Sequence, residues 1–117
     1  MSTDPQDVLG VILAVVLGAT ALLDFVRHPR ALATTDRLRI PARMVPVLGS
    51  VKAAALAGII LGFRNVRIAE MTGACLVLYF AIATLTHVRA RDGVLNAVPA
   101  FVLILVSAAY LAAQVAG

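Results

Sequence analysis

Four side chains of types that move protons or hold polar ligands fall inside or at the ends of long apolar runs: Asp24, Lys52, Tyr79 and His87. Lys52 is the most demanding. It lies near the middle of the apolar run 45–63, with no charged residue within eight positions on either side. An ionisable group at such a place is expensive in hydrocarbon, so by default it marks a functional site and needs a partner. A carboxylate, an amine and an imidazole together offer acid–base chemistry, and a lysine with a tyrosine offers hydrogen bonds to a carbonyl or hydroxyl. Thr72, Cys75, Tyr79 and Thr86 follow the three-and-four spacing of one helical face. Lipid does not favour such a row, which makes Thr72, Tyr79 and Thr86, with Lys52, candidate ligand contacts.

The elements that must position these residues follow from composition. Of 117 residues, 62% are hydrophobic and 14% charged, whereas soluble domains run at roughly 45–50% and about 25%. This is the composition of a membrane protein. A hydrocarbon core of roughly 30 Å asks for about 20 apolar residues, and four runs meet that length: 8–26, 45–63, 68–86 and 95–115. Short connections make consecutive spans antiparallel neighbours. The expectation is an all-α fold, an integral membrane four-helix antiparallel bundle forming a single domain over 1–117.

Charge then orients the bundle. Arg27, Arg30, Arg37, Arg39 and Arg43 lie in the first loop and Arg89 and Arg91 in the third, against Arg64 and Arg67 on the opposite side. The positive-inside rule puts loops 27–44 and 87–94 in the cytoplasm and both termini outside, as expected in a bacterial-type plasma membrane. The first run lacks a basic leader and follows Asp4 and Asp7, so it reads as a retained span rather than a signal peptide. The ten basic residues form no stripe and interleave with no aromatics, which argues against nucleic acid. Membrane lipids are the expected surroundings. The single Cys75 excludes an intramolecular disulfide and a thiolate metal cluster, and its thiol reads as a small buried hydrophobe. His28 and His87 are too few, and too close to one interface, for a metal or haem site. No phosphate loop, nucleophile motif or metal-binding pattern occurs, so the cofactor stays unknown.

Local signals refine the boundaries. Pro46 and Pro99 read as first-turn prolines of the second and fourth spans. The first loop reads as one helical turn capped by Thr34 or Thr35. In the second span Ser50, Ala54, Gly58 and Gly62 recur at every fourth residue, a seam that lets another backbone approach closely. Its partner is either a sister helix, with Ala69 and Gly73 as the facing strip, or a second copy in a homodimer.

Lys52 lies about 200° around the helix from Ser50 and so points away from that seam. Counted from Arg43, it is roughly 13 Å inside the membrane boundary, while Asp24 is about 4–5 Å inside the same boundary on the neighbouring span. Side chains tilt toward their own helix N-terminus. The first span runs toward this boundary and the second away from it, so the two side chains lean toward each other. This geometry predicts an Asp24–Lys52 ion pair or a single-water bridge; the alternative has Lys52 snorkelling to water and Asp24 pairing with Arg27 or His28. Tyr79, about 15 Å deep on the third span, reads either as a hydrogen-bonded strut or as a ligand contact. His87, at the span's end, reads either as a polar cap or as a proton exchanger.

Several of these segments occur together in a known order. Val45-Pro46-Val47-Leu48-Gly49-Ser50-Val51-Lys52, Gly58-Ile59-Ile60-Leu61-Gly62, Gly73, Leu78-Tyr79-Phe80 and Thr86-His87-Val88-Arg89-Ala90-Arg91-Asp92 resemble the DoxX-like family of small four-span membrane proteins over nearly the whole chain. The resemblance implies a four-helix membrane bundle and points to Lys52, Tyr79 and His87. It also implies possible company: some relatives are subunits of quinone-linked sulfur oxidoreductases, others are associated with redox-defence complexes, and a distant vertebrate branch acts in receptor assembly. Three functions fit the residues. The bundle binds a lipophilic small molecule such as a quinone or isoprenoid for a membrane redox partner. Alternatively it is an acid–base enzyme (isomerase, epoxide-opening or cyclase) using Asp24, Lys52 and His87 as catalytic groups on a lipid-like substrate. Or it is an assembly factor whose seam recruits another membrane protein.

Overall fold

The computed structural model describes residues 4–26, 28–91 and 93–116. Arg27 and Asp92, each considered above as a neighbour of a candidate site residue, lie outside the described residues. Five α-helices follow one another: α1 (Pro5–Phe25), α2 (Pro29–Arg37), α3 (Val45–Gly62), α4 (Val66–Arg89) and α5 (Val94–Ala116), with a 3₁₀ turn over Ala42–Met44. Among the described residues there is no strand.

The four long helices cross the membrane. Each is long and apolar enough to do so, and the longest dimension of the molecule, 40 Å, exceeds the roughly 30 Å of hydrocarbon. Their outward faces carry large apolar side chains such as Val15 (66% exposed), Met71 (69%) and Leu105 (56%). On a water-soluble protein such faces would aggregate; here they are the lipid contact. The helices form a ring in which α1 packs on α3 and α5, and α4 packs on the same two. Neighbours in the ring are antiparallel, which gives an up-down-up-down bundle. One end of it collects α2, the 3₁₀ turn and the α4–α5 connection, and hence most of the arginines.

Local chemistry sets the helix ends, in two places against expectation. Asn65 caps α4, its Oδ1 accepting from the backbone N–H of Arg67 (3.1 Å) and Ile68 (3.2 Å). The helix therefore begins two residues ahead of the apolar run. α5 begins at Val94, so Pro99 falls in its second turn rather than its first. Its missing N–H leaves the Leu95 carbonyl without an intrahelical donor, and that residue is 86% exposed, where solvent or headgroups can satisfy it.

The first loop also differs from the sequence expectation. It holds a nine-residue helix, α2, capped by His28, whose Nδ1 accepts from Arg30 N–H at 3.2 Å. Thr34 and Thr35 sit inside this helix instead of capping it, donating to the carbonyls of Arg30 (2.9 Å) and Leu32 (3.0 Å). Leu32, Thr35 and Leu38, three residues apart, turn toward the bundle. The helix stops in a Schellman motif: Ile40 N–H reaches Thr35 O at 2.8 Å and Arg39 N–H reaches Asp36 O at 3.0 Å. Arg39, with φ 60°, occupies the left-handed position usually given to glycine. Arg91, with φ 53°, does the same after α4.

Small residues set the spacing of the ring. Gly58 faces Thr72 with no room for a Cβ, and a Cβ on Gly62 would meet Ala69 at 2.9 Å. That half of the α3 strip thus packs on α4 within the protomer, while Ser50 and Ala54 are exposed. Gly73 faces α5 instead, against Leu111 and Tyr110. Tyr110 is the largest fully buried side chain. Glycines from the other three membrane helices surround it, and added Cβ atoms would lie 3.3 Å (Gly10), 3.1 Å (Gly62) and 3.1 Å (Gly73) from its atoms. Around it Leu13, Leu17, Ile59, Ala69, Leu76 and Phe80 complete the core.

One turn away, Ser107 is fully buried and its Oγ has no hydrogen-bond partner among the described residues. An unpaired buried hydroxyl costs desolvation with no return. Ser107→Ala is therefore expected to be neutral or stabilising by up to about 1 kcal/mol, whereas Tyr110→Ala empties the glycine socket and costs about 3–5 kcal/mol. Unfolding of both variants in detergent micelles measures the contrast; a clear loss in Ser107→Ala would mean that the hydroxyl is paired after all.

Candidate functional site

Asp24 occupies the last turn of α1, where the helix dipole disfavours a negative charge. Lys52 lies two turns into α3, where hydrocarbon disfavours a positive one. Gly49 brings them together. It is buried against the end of α1, and a Cβ there would stand 3.1 Å from the Asp24 Cβ and 3.4 Å from the Ala21 carbonyl oxygen. The two helices therefore touch backbone to side chain at this level, and Lys52, three residues beyond Gly49, is aligned on the same face. Lys52 Nζ donates to Asp24 Oδ2 at 2.8 Å. The pair is secluded, with the two side chains 17% and 7% exposed. The direct ion pair, not snorkelling, describes Lys52 in this structure.

The pair forms part of the wall of a chamber of about 540 Å³ at the arginine-rich end of the bundle. Tyr79, Thr86 and His87 of α4 line it, α2 contributes Arg30 and Thr35, and apolar side chains such as Leu48 and Leu103 fill much of the remainder. A second cavity of about 410 Å³ lies between α3 and α4, beside Leu17 of α1, and runs toward Ile68. It is almost wholly apolar. Both linings are mainly apolar, the chamber carrying more polar side chains, and Lys52 and Tyr79 line both spaces.

The candidate residues from the sequence divide accordingly. Asp24, Lys52, Tyr79, Thr86 and His87 meet around the chamber. The Tyr79 ring packs edge-on against Phe80, centroids 5.3 Å apart, and its hydroxyl makes no hydrogen bond among the described residues. The expected internal strut is thus absent, and the hydroxyl remains able to donate. Thr86 and Thr72 both donate to carbonyls of their own helix, Ile82 O and Ile68 O, each at 2.8 Å. Thr72 is buried in the Gly58 contact and lines only the groove, away from the chamber. Cys75 is exposed on the groove, contrary to the expected buried thiol. The reason is local: α3 presents only Ala54 and Ala55 to the groove at this level, too small to cover it. Sequence reasoning missed the contributions of Arg30 and Thr35, because nothing in the first loop signalled a helix folded back over the bundle. Among the described residues no group of three or more His, Cys, Asp or Glu side chains could hold a metal ion.

Fold and site together define an integral membrane four-helix bundle with an ion-paired polar chamber in one half. The DoxX-like family model matches residues 8–109, which takes in α3 and α4 whole and most of α1 and α5, and the chain belongs to that family. No curated protein and no solved structure matches the chain.

The ion pair makes a quantitative prediction. Removing one partner strands the other charge, so Lys52→Met should cost about 3 kcal/mol, and Asp24→Asn with Lys52→Met should cost at least about 1 kcal/mol less than the single change. Denaturant titration of Lys52→Met, Asp24→Asn and the double variant closes the cycle, and equal losses in Lys52→Met and the double variant would refute direct coupling. Gly49→Leu forces α1 and α3 apart, and its loss of stability should not add to that of Lys52→Met.

Proposed function

We propose that this protein binds a lipophilic small molecule with a polar head, of the quinone or isoprenoid-alcohol kind, in the chamber around Lys52. The observation that carries this reading is that Lys52 and Tyr79, two polar hydrogen-bond donors, line both of two mainly apolar cavities. A lipid-soluble molecule with one carbonyl or hydroxyl has the same two halves. Lys52 has three ammonium hydrogens. One is given to Asp24 Oδ2, and the others are free to meet a carbonyl or hydroxyl oxygen. A contact from an ammonium is charge-assisted and stronger than a neutral hydrogen bond. The Tyr79 hydroxyl supplies a second donor at the same level. Electron transfer to such a molecule would belong to a membrane redox partner.

A second reading is favoured by one observation: Asp24, Lys52, Tyr79 and His87 line a single chamber. A carboxylate, an amine, a phenol and an imidazole around one ligand are a set able to move protons. Turnover of a lipid-like substrate by the isolated chain would separate an enzyme from a binding subunit. The orientation proposed is the positive-inside one, with the chamber in the cytoplasmic half and both termini outside.

Lipid extraction of the purified full-length protein followed by mass spectrometry is expected to recover a discrete polar-headed lipophile from wild type. Lys52→Met should lower its occupancy about tenfold, the equivalent of one charge-assisted hydrogen bond of roughly 1.4 kcal/mol. Recovery of nothing specific from wild type, or equal occupancy in Lys52→Met, would sink the reading.

A further inference from the structure

The groove between α3 and α4 has a shape that the chamber alone does not require. Toward the arginine-poor end the two helices are in van der Waals contact, Gly62 against Ala69 and Gly58 against Thr72. One step further along the same small-residue strip, Ala54 lines the groove. Ala54 is exposed, and across the gap from it Met71 and Cys75 are exposed as well. The groove therefore runs along the lipid-facing flank of the α3–α4 pair, beside the Gly58–Thr72 contact and on toward Lys52. At its deeper edge the groove ends on Lys52 and Tyr79, which also bound the polar chamber. Along α4 it reaches from Tyr79 to Ile68, eleven residues or roughly 16 Å.

We infer that this groove holds the apolar tail of the molecule whose head occupies the chamber, and that the molecule is single-tailed and enters sideways from the bilayer between α3 and α4. The inference rests on the binding function proposed above and narrows it. Three features carry it. The groove and the chamber share Lys52 and Tyr79 as lining, so a head group held by these two side chains can lay its tail in the groove. Its polar lining is confined to Lys52, Tyr79 and Thr72, with Cys75 as a weakly polar thiol, and the Thr72 hydroxyl is already committed to Ile68 O; the stretch beyond the Lys52–Tyr79 junction therefore suits an aliphatic or prenyl chain rather than a second head. Its length of roughly 16 Å along α4 matches a single extended aliphatic chain of about a dozen carbons. Because the opening faces hydrocarbon, the tail never has to cross water on its way in.

The test uses the full chain in nanodiscs formed from the membranes in which it is produced, with bound species counted by native mass spectrometry. Wild type should carry a single-tailed amphiphile. Cys75→Phe and Ala54→Phe, which place a ring in the open groove without disturbing a buried contact, should each lower its occupancy at least fivefold. Undiminished occupancy in both variants, alongside an empty Lys52→Met, would overturn the groove while leaving the chamber as the binding site. A bound species that is tailless or double-tailed would likewise overturn it, and a wild type that carries nothing would overturn both proposals. Should the phenylalanine variants fail to fold, Cys75 of the wild-type protein serves as reporter. Its modification by N-ethylmaleimide should be at least fivefold slower in the loaded protein than after detergent stripping of the ligand, and equal rates would overturn the proposal.

Discussion

An acid at the wrong end of a helix and a lysine in the wrong solvent each carry an unfavourable energy, and the Asp24–Lys52 hydrogen bond of 2.8 Å cancels part of both. Much at the arginine-rich end of the bundle is arranged around this bond. It requires α1 and α3 to approach within the reach of a lysine stem, which Gly49 permits. It holds the ammonium at the inner edge of the chamber rather than letting it snorkel to the interface. A buried ion pair is seldom a good source of stability, and here its more evident effect is to fix a charge at a chosen depth.

The opposite half of the molecule obeys a different rule. There the helices are drawn together by close packing, not by charge, since apolar surface gains little from leaving lipid for protein. Tyr110 in its socket of three glycines, with Gly58 on Thr72 and Gly62 on Ala69, makes this half dense. The bundle core is thus closed by glycine contacts at one end, while the arginine-rich end encloses the chamber. Rigidity at one end allows the other end to remain open without the fold coming apart.

How much of this could be read from the residues depends on the range of the signal. The four spans were legible because apolar runs of bilayer length need no tertiary information. The ion pair was legible because helix direction and side-chain tilt relate two positions on adjacent antiparallel helices by simple counting. Tyr110 was not, since its environment is made of glycines from three other helices, none of which announces its partner in the sequence. The exposure of Cys75 was hidden for a similar reason: it depends on the small size of Ala54 and Ala55 on a different helix. The first loop was legible as helical but not its nine-residue extent, because its cap is a histidine and its stop is an arginine, neither of which is the usual punctuation.

That stop has a wider meaning. The chain leaves α2 and α4 through left-handed residues, and both are arginines, Arg39 and Arg91. A glycine at either place would relieve backbone strain of the order of 1 kcal/mol, but it would also delete one of the positive charges that bias which way a nascent bundle inserts. Mechanical ease in the finished protein and correct orientation during its birth therefore make opposing demands on the same two residues. In this chain both positions keep the arginine, so the folded molecule bears the strain and retains the charge.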